Sequence, residues 1–245
     1  VGSILYAPNI KAISDISTLE NQQSQSNYYV TPVILQDGEA EGAQLYINSG
    51  VSISDLGGAL GTESAAAVNQ NIGEIRAFNI SDGTEMAVPA LTNGQKIKAL
   101  ASSLLDQLDA YRYLFATTVP NIAGTYINND WTAITQTSPY YRISRNRVMS
   151  KAVRLIYAPV VPLLKSQIQL NADGTISDVS IEAFAGAVVP VGAQMRAASE
   201  ISNMKVTISN TQNVLSTGKI VIGVAIQPTV SADFIEVNMS FKAKL

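Results

Sequence analysis

The chain has 245 residues, of which 47% are hydrophobic, and a formal net charge of −3. This length and apolar content are sufficient for one large or two modest globular domains. The chain contains neither cysteine nor histidine, which excludes disulfides, thiolate metal sites, thiol nucleophiles and every catalytic arrangement that needs imidazole. An enzyme built from this sequence would have to work through carboxylates, Lys or Tyr.

The charge is unevenly distributed along the chain. Residues 1–130 carry 13 acidic and 5 basic side chains, whereas residues 131–245 carry 6 acidic and 11 basic side chains. Such an asymmetry indicates that the two halves face different partners. A membrane is not among the predicted partners. The longest nearly unbroken apolar run, residues 155–164, has ten residues and two prolines, whereas a spanning helix needs about 20 apolar residues.

The first half of the chain predicts a β-α-β arrangement. Residues 28–35 and 72–80 are rich in β-branched and aromatic side chains and are predicted as strands. Residues 55–71, between them, are interrupted by glycines and are predicted as a helix. Residues 81–94 contain Pro and Gly and break the pattern, so a domain boundary is predicted near residue 90.

An amphipathic helix is predicted over residues 95–113. Its Leu and Ile side chains recur at spacings of three and four residues, and Thr92 or Asn93 is the predicted cap. Residues 113–119 are predicted as a buried strand, and residues 124–141 as a long polar and aromatic loop.

Two further helices are predicted in the second half. The first covers residues 144–158 and is stopped by the two prolines that follow it. A turn at residues 171–174 precedes the second helix, which starts near Ser177 or Asp178 and is kinked or ended around Pro190.

The last 43 residues are predicted to be β-structure. Apolar and polar side chains alternate over residues 204–209, and residues 219–227 are apolar on both faces, as in a central strand. Residues 234–242 alternate strictly and predict a half-buried strand whose outward edge has no partner left in the sequence. The apolar positions of this terminal strand are Ile235, Val237, Met239 and Phe241. Together the elements predict an α+β fold with helices packed on a small sheet.

Short motifs in the chain do not predict a catalytic, cofactor or metal site. Residues 216–219 have the spacing of a Ser/Lys nucleophile pair but lack the companion motifs of that enzyme class. Residues 171–177 lack the later acidic ligands of a calcium loop, and no Lys follows the glycines of residues 57–61 as a phosphate loop requires. Asp106 and Asp109 come nearest to a catalytic carboxylate pair and are interpreted as capping or solvating side chains of one helix.

A basic stripe lies on the helix predicted over residues 144–158. No acidic residue occurs within residues 131–171. Arg147, Lys151 and Arg154 are spaced i, i+4 and i+7 and share one helix face, while apolar side chains form another. A charge stripe is usually a solvated surface. Nucleic acid is disfavoured as a partner because the pI is near 5.0 and no aromatic residues alternate with these charges, so an acidic protein surface is the favoured partner.

Four segments of the second half follow one another in a distinctive order: an Asn-Arg-x-x-x-Lys-Ala helix start, a turn, a second helix and a closing β unit. They are "SPYYRISRNRVMSKAVRLIYAPVVPLL", "SQIQLNADGTIS", "MRAASEISNMKVTIS" and "QNVLSTGKIVIGVAIQPTVSADFIEVNMSF". In this order they resemble the C-terminal region of contractile tail sheath proteins, from bacteriophages and related contractile injection systems. The resemblance covers residues 92–245 and, more loosely, residues 50–91. One departure is Ser199, where the family pattern leads us to expect Gly before Glu200.

The resemblance implies a structural protein and not an enzyme. Such a protein polymerises helically, in stacked rings, around an inner tube, and drives tube injection by rearranging its lattice. The implied partners are further copies of the chain, the inner tube protein, and baseplate and terminator proteins, without nucleic acid. The implied location is a virion tail or contractile injection particle, assembled in the bacterial cytoplasm.

The resemblance also implies a domain plan and roles for the two surface features. Residues 1–90 would be a partial outer α/β sheath domain, and residues 91–245 the inner conserved C-terminal domain with a C-terminal arm. Sheath proteins are usually longer, so a further N-terminal arm or domain is expected outside this chain. Residues 234–242 would complete a small sheet in a neighbouring copy, and the basic stripe would face the inner tube.

Two other classes of protein remain as alternatives. A non-contractile tail, baseplate or surface-layer protein would also self-assemble and lack His and Cys. A carboxylate-based hydrolase would need two acidic residues that converge in a cleft.

Overall fold

The fold is mixed α+β, as predicted. The computed structural model describes residues 3–233, 235–239 and 241. Its α-helices are α1 (Glu41–Asn48), α2 (Leu56–Ala65), α3 (Ser102–Ala110), α4 (Ile143–Val160), α5 (Asp178–Ala197) and α6 (Val214–Thr217). Its strands are β1 (Ile4–Tyr6), β2 (Val30–Pro32), β3 (Leu35–Asp37), β4 (Pro89–Leu91), β5 (Ala116–Thr117), β6 (Tyr126–Ile127), β7 (Ile201–Thr207) and β8 (Gly223–Pro228). Short 3₁₀ helices cover Ile16–Thr18, Gln22–Gln25, Ile97–Ala99 and Val161–Leu163.

The strands form four two-stranded sheets. β1 and β2 are parallel, whereas β3–β4, β5–β6 and β7–β8 are antiparallel pairs. Among the described residues, no third strand joins the β7–β8 pair. Both outer edges of this pair therefore lack a strand partner, which proteins normally avoid.

The N-terminal part of the chain is held together by two hydrophobic clusters. Each cluster combines residues from before and after residue 90, and β3 pairs with β4 across it. The first cluster includes Val33, Leu35, Leu114, Ile127 and Ile143, and the second includes Ile16, Ile34, Leu91, Leu108 and Phe115. Residues on both sides of the predicted boundary thus share a core. The division into an outer and an inner sheath domain stays a prediction.

The strand predicted over residues 72–80 is wrong, since this segment forms consecutive turns. The side chain of Asn71 accepts a hydrogen bond from the backbone N–H of Gly73 at 2.7 Å, and the carbonyl of Glu74 accepts one from the backbone N–H of Phe78 at 2.9 Å. Local bonds of this kind satisfy the backbone without a strand partner. The β-branched and aromatic content of the segment reflects core packing instead, because Ile72 is buried.

The strand predicted over residues 28–35 is divided into β2 and β3, which pair with different strands. Between them the backbone N–H of Ile34 donates to the carbonyl of Leu114 at 2.8 Å. α1 lies in a segment for which the sequence predicts no element. β5 lies within the strand predicted over residues 113–119, whereas β6 lies in the region predicted as a loop.

The helix predicted over residues 95–113 is shorter than expected, because α3 covers only its second part. Leu100 and Ala101 are extended, with ψ angles of 146° and 142°, and separate α3 from the preceding 3₁₀ helix. The predicted cap is also wrong. The side chain of Asn93 accepts a hydrogen bond from the backbone N–H of Gln95 at 3.1 Å and forms a turn.

α4 and α5 confirm the two helices predicted in the second half, but Pro159 does not stop α4, which contains it and ends at Val160. Ser177 caps α5, as expected, by accepting a hydrogen bond from the backbone N–H of Ser180 at 3.4 Å. Pro190 does not end α5, which continues to Ala197. Val191 and Met195, which follow the proline, are buried in a cluster with α4 and β7. The burial of these side chains outweighs the cost of an internal proline, which is about 3 kcal/mol.

The C-terminal β-structure differs from the prediction. Exposed and half-buried residues alternate along β8, so it is an edge strand in the single chain and not the central strand predicted over residues 219–227. Residues 235–239 and Phe241 belong to no strand in the single chain. Phe234, Ser240 and Lys242, which complete the predicted terminal strand, lie outside the described residues.

Ser199 adopts a backbone conformation that favours glycine, with a φ angle of 58°. This is the position where the sheath pattern predicts Gly. Because a residue with a Cβ is strained in this region by about 1–2 kcal/mol, Ser199→Gly is expected to raise the free energy of unfolding by about 0.5–1 kcal/mol. Urea denaturation measures the change. Ser202→Gly, within β7, is the control and is expected to be destabilising; equal effects at the two positions would contradict the assignment of strain to Ser199.

Candidate functional site

The basic stripe lies on α4, but its members differ in their contacts. The guanidinium of Arg147 donates to the carbonyl of Ala66 at 2.9 Å and to the carbonyl of Ala67 at 3.3 Å. Ala66 is the residue that follows α2. Carbonyls at a helix C-terminus lack intrahelical partners, so Arg147 caps α2 and links it to α4.

Of the other two members of the stripe, Lys151 is partly exposed and Arg154 is exposed. Lys151 forms an ion pair with Glu200, the residue immediately before β7. Arg154 is exposed, and no described residue forms a hydrogen bond or ion pair with it. The acid-free stretch of sequence is therefore not free of acidic neighbours in space. The contact of all three residues with an inner tube stays a prediction. Arg154 is the member of the stripe whose charge is not paired with a described residue.

A buried ionic network surrounds the start of α4. Arg142 donates from Nη1 to Asp130 Oδ1 at 2.7 Å and to Asn129 Oδ1 at 2.8 Å, and from Nη2 to Asp233 Oδ2 at 2.5 Å. Asp130 is 0% exposed, and its Oδ2 accepts hydrogen bonds from the backbone N–H and the hydroxyl of Ser144, at 3.1 and 2.5 Å. Burial raises the pKa of Asp130, while Arg142 and Ser144 oppose that shift. Asp130 thus caps α4 from a neighbouring loop.

A tryptophan lies beside both buried arginines of this region. The Cζ atoms of Arg112 and Arg142 lie 4.1 and 4.5 Å from the centroid of the Trp131 ring. Trp131 Nε1 donates to Asp109 Oδ1 at 2.8 Å, and Asn128 Nδ2 donates to the same oxygen at 2.7 Å. Burial raises the pKa of Asp109, while the hydrogen bonds from Trp131 and Asn128 lower it. Asp109 therefore orients the tryptophan.

Asp109, Arg112, Asn128 and Trp131 line a groove of about 1510 Å³. Its other walls come from α3 and from residues 69–75 and 229–233. Glu74 and Asp106 also line it and are exposed. We call it the arm-root groove, because residues 229–233 lead from β8 into the C-terminal segment. Asp106 and Asp109 both line this groove. Asp106 is exposed, but the expectation that Asp109 caps or solvates its helix is wrong, because its carboxylate accepts hydrogen bonds from Trp131 and Asn128.

The C-terminal segment is attached to the body at two points and then leaves it. Asn69 Nδ2 donates to the carbonyl of Ser199 at 2.9 Å and to the hydroxyl of Thr229 at 3.1 Å, and Arg142 binds Asp233. We call residues 234–245 the terminal arm. The apolar side chains of the predicted terminal strand are all exposed in the described part of this arm, with relative exposures of 71% to 110%. They are Ile235, Val237, Met239 and Phe241. Their pairing with a neighbouring copy stays a prediction.

Neither a metal centre nor a membrane span is found in the described part of the chain. No three His, Cys, Asp or Glu side chains converge there as ligands would. None of the helices there is both long and apolar enough to cross a bilayer.

The fold is shared with chains of two contractile injection systems. A chain of the anti-feeding prophage (AFP) baseplate is 12% identical, with a TM-score of 0.58 over 95% of this chain and 63% of that chain. A chain of the PVC sheath complex, an extracellular contractile injection system in its contracted state, is 11% identical, with a TM-score of 0.60 over 98% of this chain and 64% of that chain. The present chain thus spans a little under two thirds of the length of both. It has the fold of contractile injection system components.

The chain belongs to the DUF2586 family. The N-terminal domain of that family matches residues 6–130, and its C-terminal domain matches residues 140–245. No curated protein matches the sequence.

The sequence pattern did not indicate the buried network or the groove. The nearest signal was the position of Asp130, directly before the acid-free stretch that contains Arg142. Asp233 is 91 residues from Arg142 in sequence, and no local spacing rule relates the two.

Proposed function

We propose that the chain is a structural subunit of a contractile particle and polymerises helically around an inner tube to form its sheath. The observation that carries the proposal is the terminal arm, whose alternating apolar side chains are exposed in a chain with the fold of a sheath complex component. Exposed apolar segments with a strand pattern mark sites where another chain binds. The similarity to a baseplate chain supports a baseplate subunit as the second candidate.

The proposed joint between subunits is strand addition at the open edge of β8. Residues 219–227 are apolar on both faces, yet β8 has β7 as its only strand partner among the described residues. The terminal arm of a neighbouring copy would give β8 a second partner and make it a central strand. Register would be strongly specified, since a slip of one residue would exchange the apolar set for Glu236 and Asn238.

A joint of this kind suits a contracting lattice. The arm stays paired while the rigid bodies that it connects change their packing, and the energy of contraction is the difference between two packings of the same subunits. No catalytic step or cofactor is part of the proposal. The partners are further copies, the inner tube, and baseplate and terminator proteins, in a virion tail or injection particle assembled in the bacterial cytoplasm.

Electron microscopy of the purified protein tests the proposal. Wide tubes or stacked rings are the expected result. Monodisperse monomers at every concentration would instead favour a function outside a polymeric particle.

Tube binding is tested separately at Arg154. Arg154→Glu is expected to weaken co-assembly with the tube by about tenfold, because it replaces the available positive charge of α4 with a negative one. The thermal stability should be unchanged, since Arg154 is exposed and makes no ion pair with a described residue. Co-sedimentation of sheath and tube measures the effect, which should shrink at high salt.

The matched control for this variant is Lys98→Glu, the same reversal at an exposed site in the N-terminal part. Arg147→Glu and Lys151→Glu are less informative, because they would also disrupt the α2 cap and the pair with Glu200. Equal co-assembly by the Arg154 and Lys98 variants would contradict the assignment of α4 to the tube interface.

A further inference from the structure

Arg112 stands out among the side chains of the arm-root groove. It is 4% exposed and lines the groove, with its guanidinium over Trp131. Its Nε is buried without a hydrogen-bond partner, and no described residue accepts a hydrogen bond from its guanidinium. Its φ angle is 71°. The buried, unpaired Nε and the left-handed backbone are two separate unfavourable features of Arg112 in the free chain.

Arg142 provides an internal comparison. It lies beside the same tryptophan, but its guanidinium donates to Asn129, Asp130 and Asp233. Burial lowers the pKa of Arg112, and Asp109 opposes that shift by its charge alone, without a hydrogen bond. The donors of Arg112 therefore remain available for an oxygen acceptor that enters the groove.

We propose that the arm-root groove binds the terminal arm of a second copy of this chain, with Arg112 donating to a backbone carbonyl of that arm. This inference rests on the proposed function and adds a second contact to strand addition. The open edge of β8 and the groove are adjacent, because β8 continues directly into residues 229–233, which form one wall of the groove.

Charge complementarity supports this occupant. The groove is lined by four carboxylates, those of Glu74, Asp106, Asp109 and Asp233, and by one basic residue, Arg112. Asp233 is already paired with Arg142, whereas Glu74 and Asp106 are exposed. The terminal arm contains one acidic residue, Glu236, and two basic ones, Lys242 and Lys244. A backbone carbonyl suits Arg112 better than a carboxylate would, because it adds no negative charge beside these four carboxylates.

Apolar chemistry is also complementary. Leu105, Ile75 and Val230 line the groove, and Ile75 and Val230 are exposed in the single chain. The arm brings apolar side chains at every second position. An extended backbone with apolar side chains and two lysines suits a groove that combines the guanidinium of Arg112, apolar walls and exposed carboxylates.

A labelled synthetic peptide of residues 234–245 tests the inference by fluorescence anisotropy against the full-length protein. The wild type is expected to bind it, and Arg112→Asn to bind it about tenfold or more weakly. Because Asn tolerates a positive φ, the variant should melt at or above the wild-type temperature. Arg112→Lys keeps the charge but not the planar fork, and should bind with intermediate affinity.

Two outcomes would overturn the inference. The first is peptide affinity that agrees within about twofold between the wild type and Arg112→Asn. The second is a wild type that does not bind the peptide although it forms tubes under the electron microscope. Both outcomes leave the proposed sheath function intact, whereas a wild type that binds the peptide but forms no tubes or rings contradicts the proposed function alone.

Discussion

Deletion of residues 234–245 is expected to abolish polymerisation and to leave a folded, monomeric protein. The described part of the terminal arm forms no strand and exposes its apolar side chains, so its loss removes no core contact that the structure describes. The ion pair between Arg142 and Asp233 is retained by this truncation. Analytical ultracentrifugation and electron microscopy measure assembly, and circular dichroism measures the fold.

A matched pair of point variants separates register from length. Val237→Asp places a charge at a position predicted to face the core of the neighbour, whereas Asn238→Asp places the same residue on the outward face. The first is expected to weaken assembly by about tenfold or more and the second only slightly. Equal effects, or tubes of normal width from the truncated protein, would show that the arm is not the joint.

Arg142→Leu is expected to lower the free energy of unfolding by about 3–5 kcal/mol, because it leaves the fully buried Asp130 without its counter-charge. Asp130 also caps α4 through Ser144, so helix content should fall at lower denaturant concentration than in the wild type. Urea denaturation followed by circular dichroism gives both values.

Arg145→Leu is the control, three residues further along the chain, in the first turn of α4. Arg145 is partly exposed and has a 3.5 Å hydrogen bond to the carbonyl of Pro139, so its loss should cost less than about 1 kcal/mol. If the two variants were equally stable, the Asp130–Arg142 pair would not organise the start of α4.

The elements that could be predicted are those with a local cause. The turn at residues 171–174, the Ser177 cap and the two long helices follow from side chains within a few residues of each other. The strand prediction for residues 72–80 failed because the apolar side chains of this segment pack against residues far away in sequence, while its backbone forms local turns. Composition reports burial and does not distinguish a strand from a turn that packs into a core.

The same distinction applies to the candidate site. Helical spacing correctly grouped Arg147, Lys151 and Arg154 on one helix. It could not reveal that Glu200 neutralises Lys151, or that Arg147 binds the end of α2, because these contacts join residues at least 49 positions apart. For β8, composition predicted a central strand that the single chain does not form, and the proposed strand addition offers a reason for that mismatch.

A cryo-EM map of the assembled protein is the most direct test of the proposed joint. The account predicts a helical tube in which residues 235–241 form a strand beside β8 of a neighbouring subunit, with Ile235, Val237, Met239 and Phe241 facing its core. A tube in which this segment pairs with its own chain, or is not in contact with any neighbour, would contradict the account.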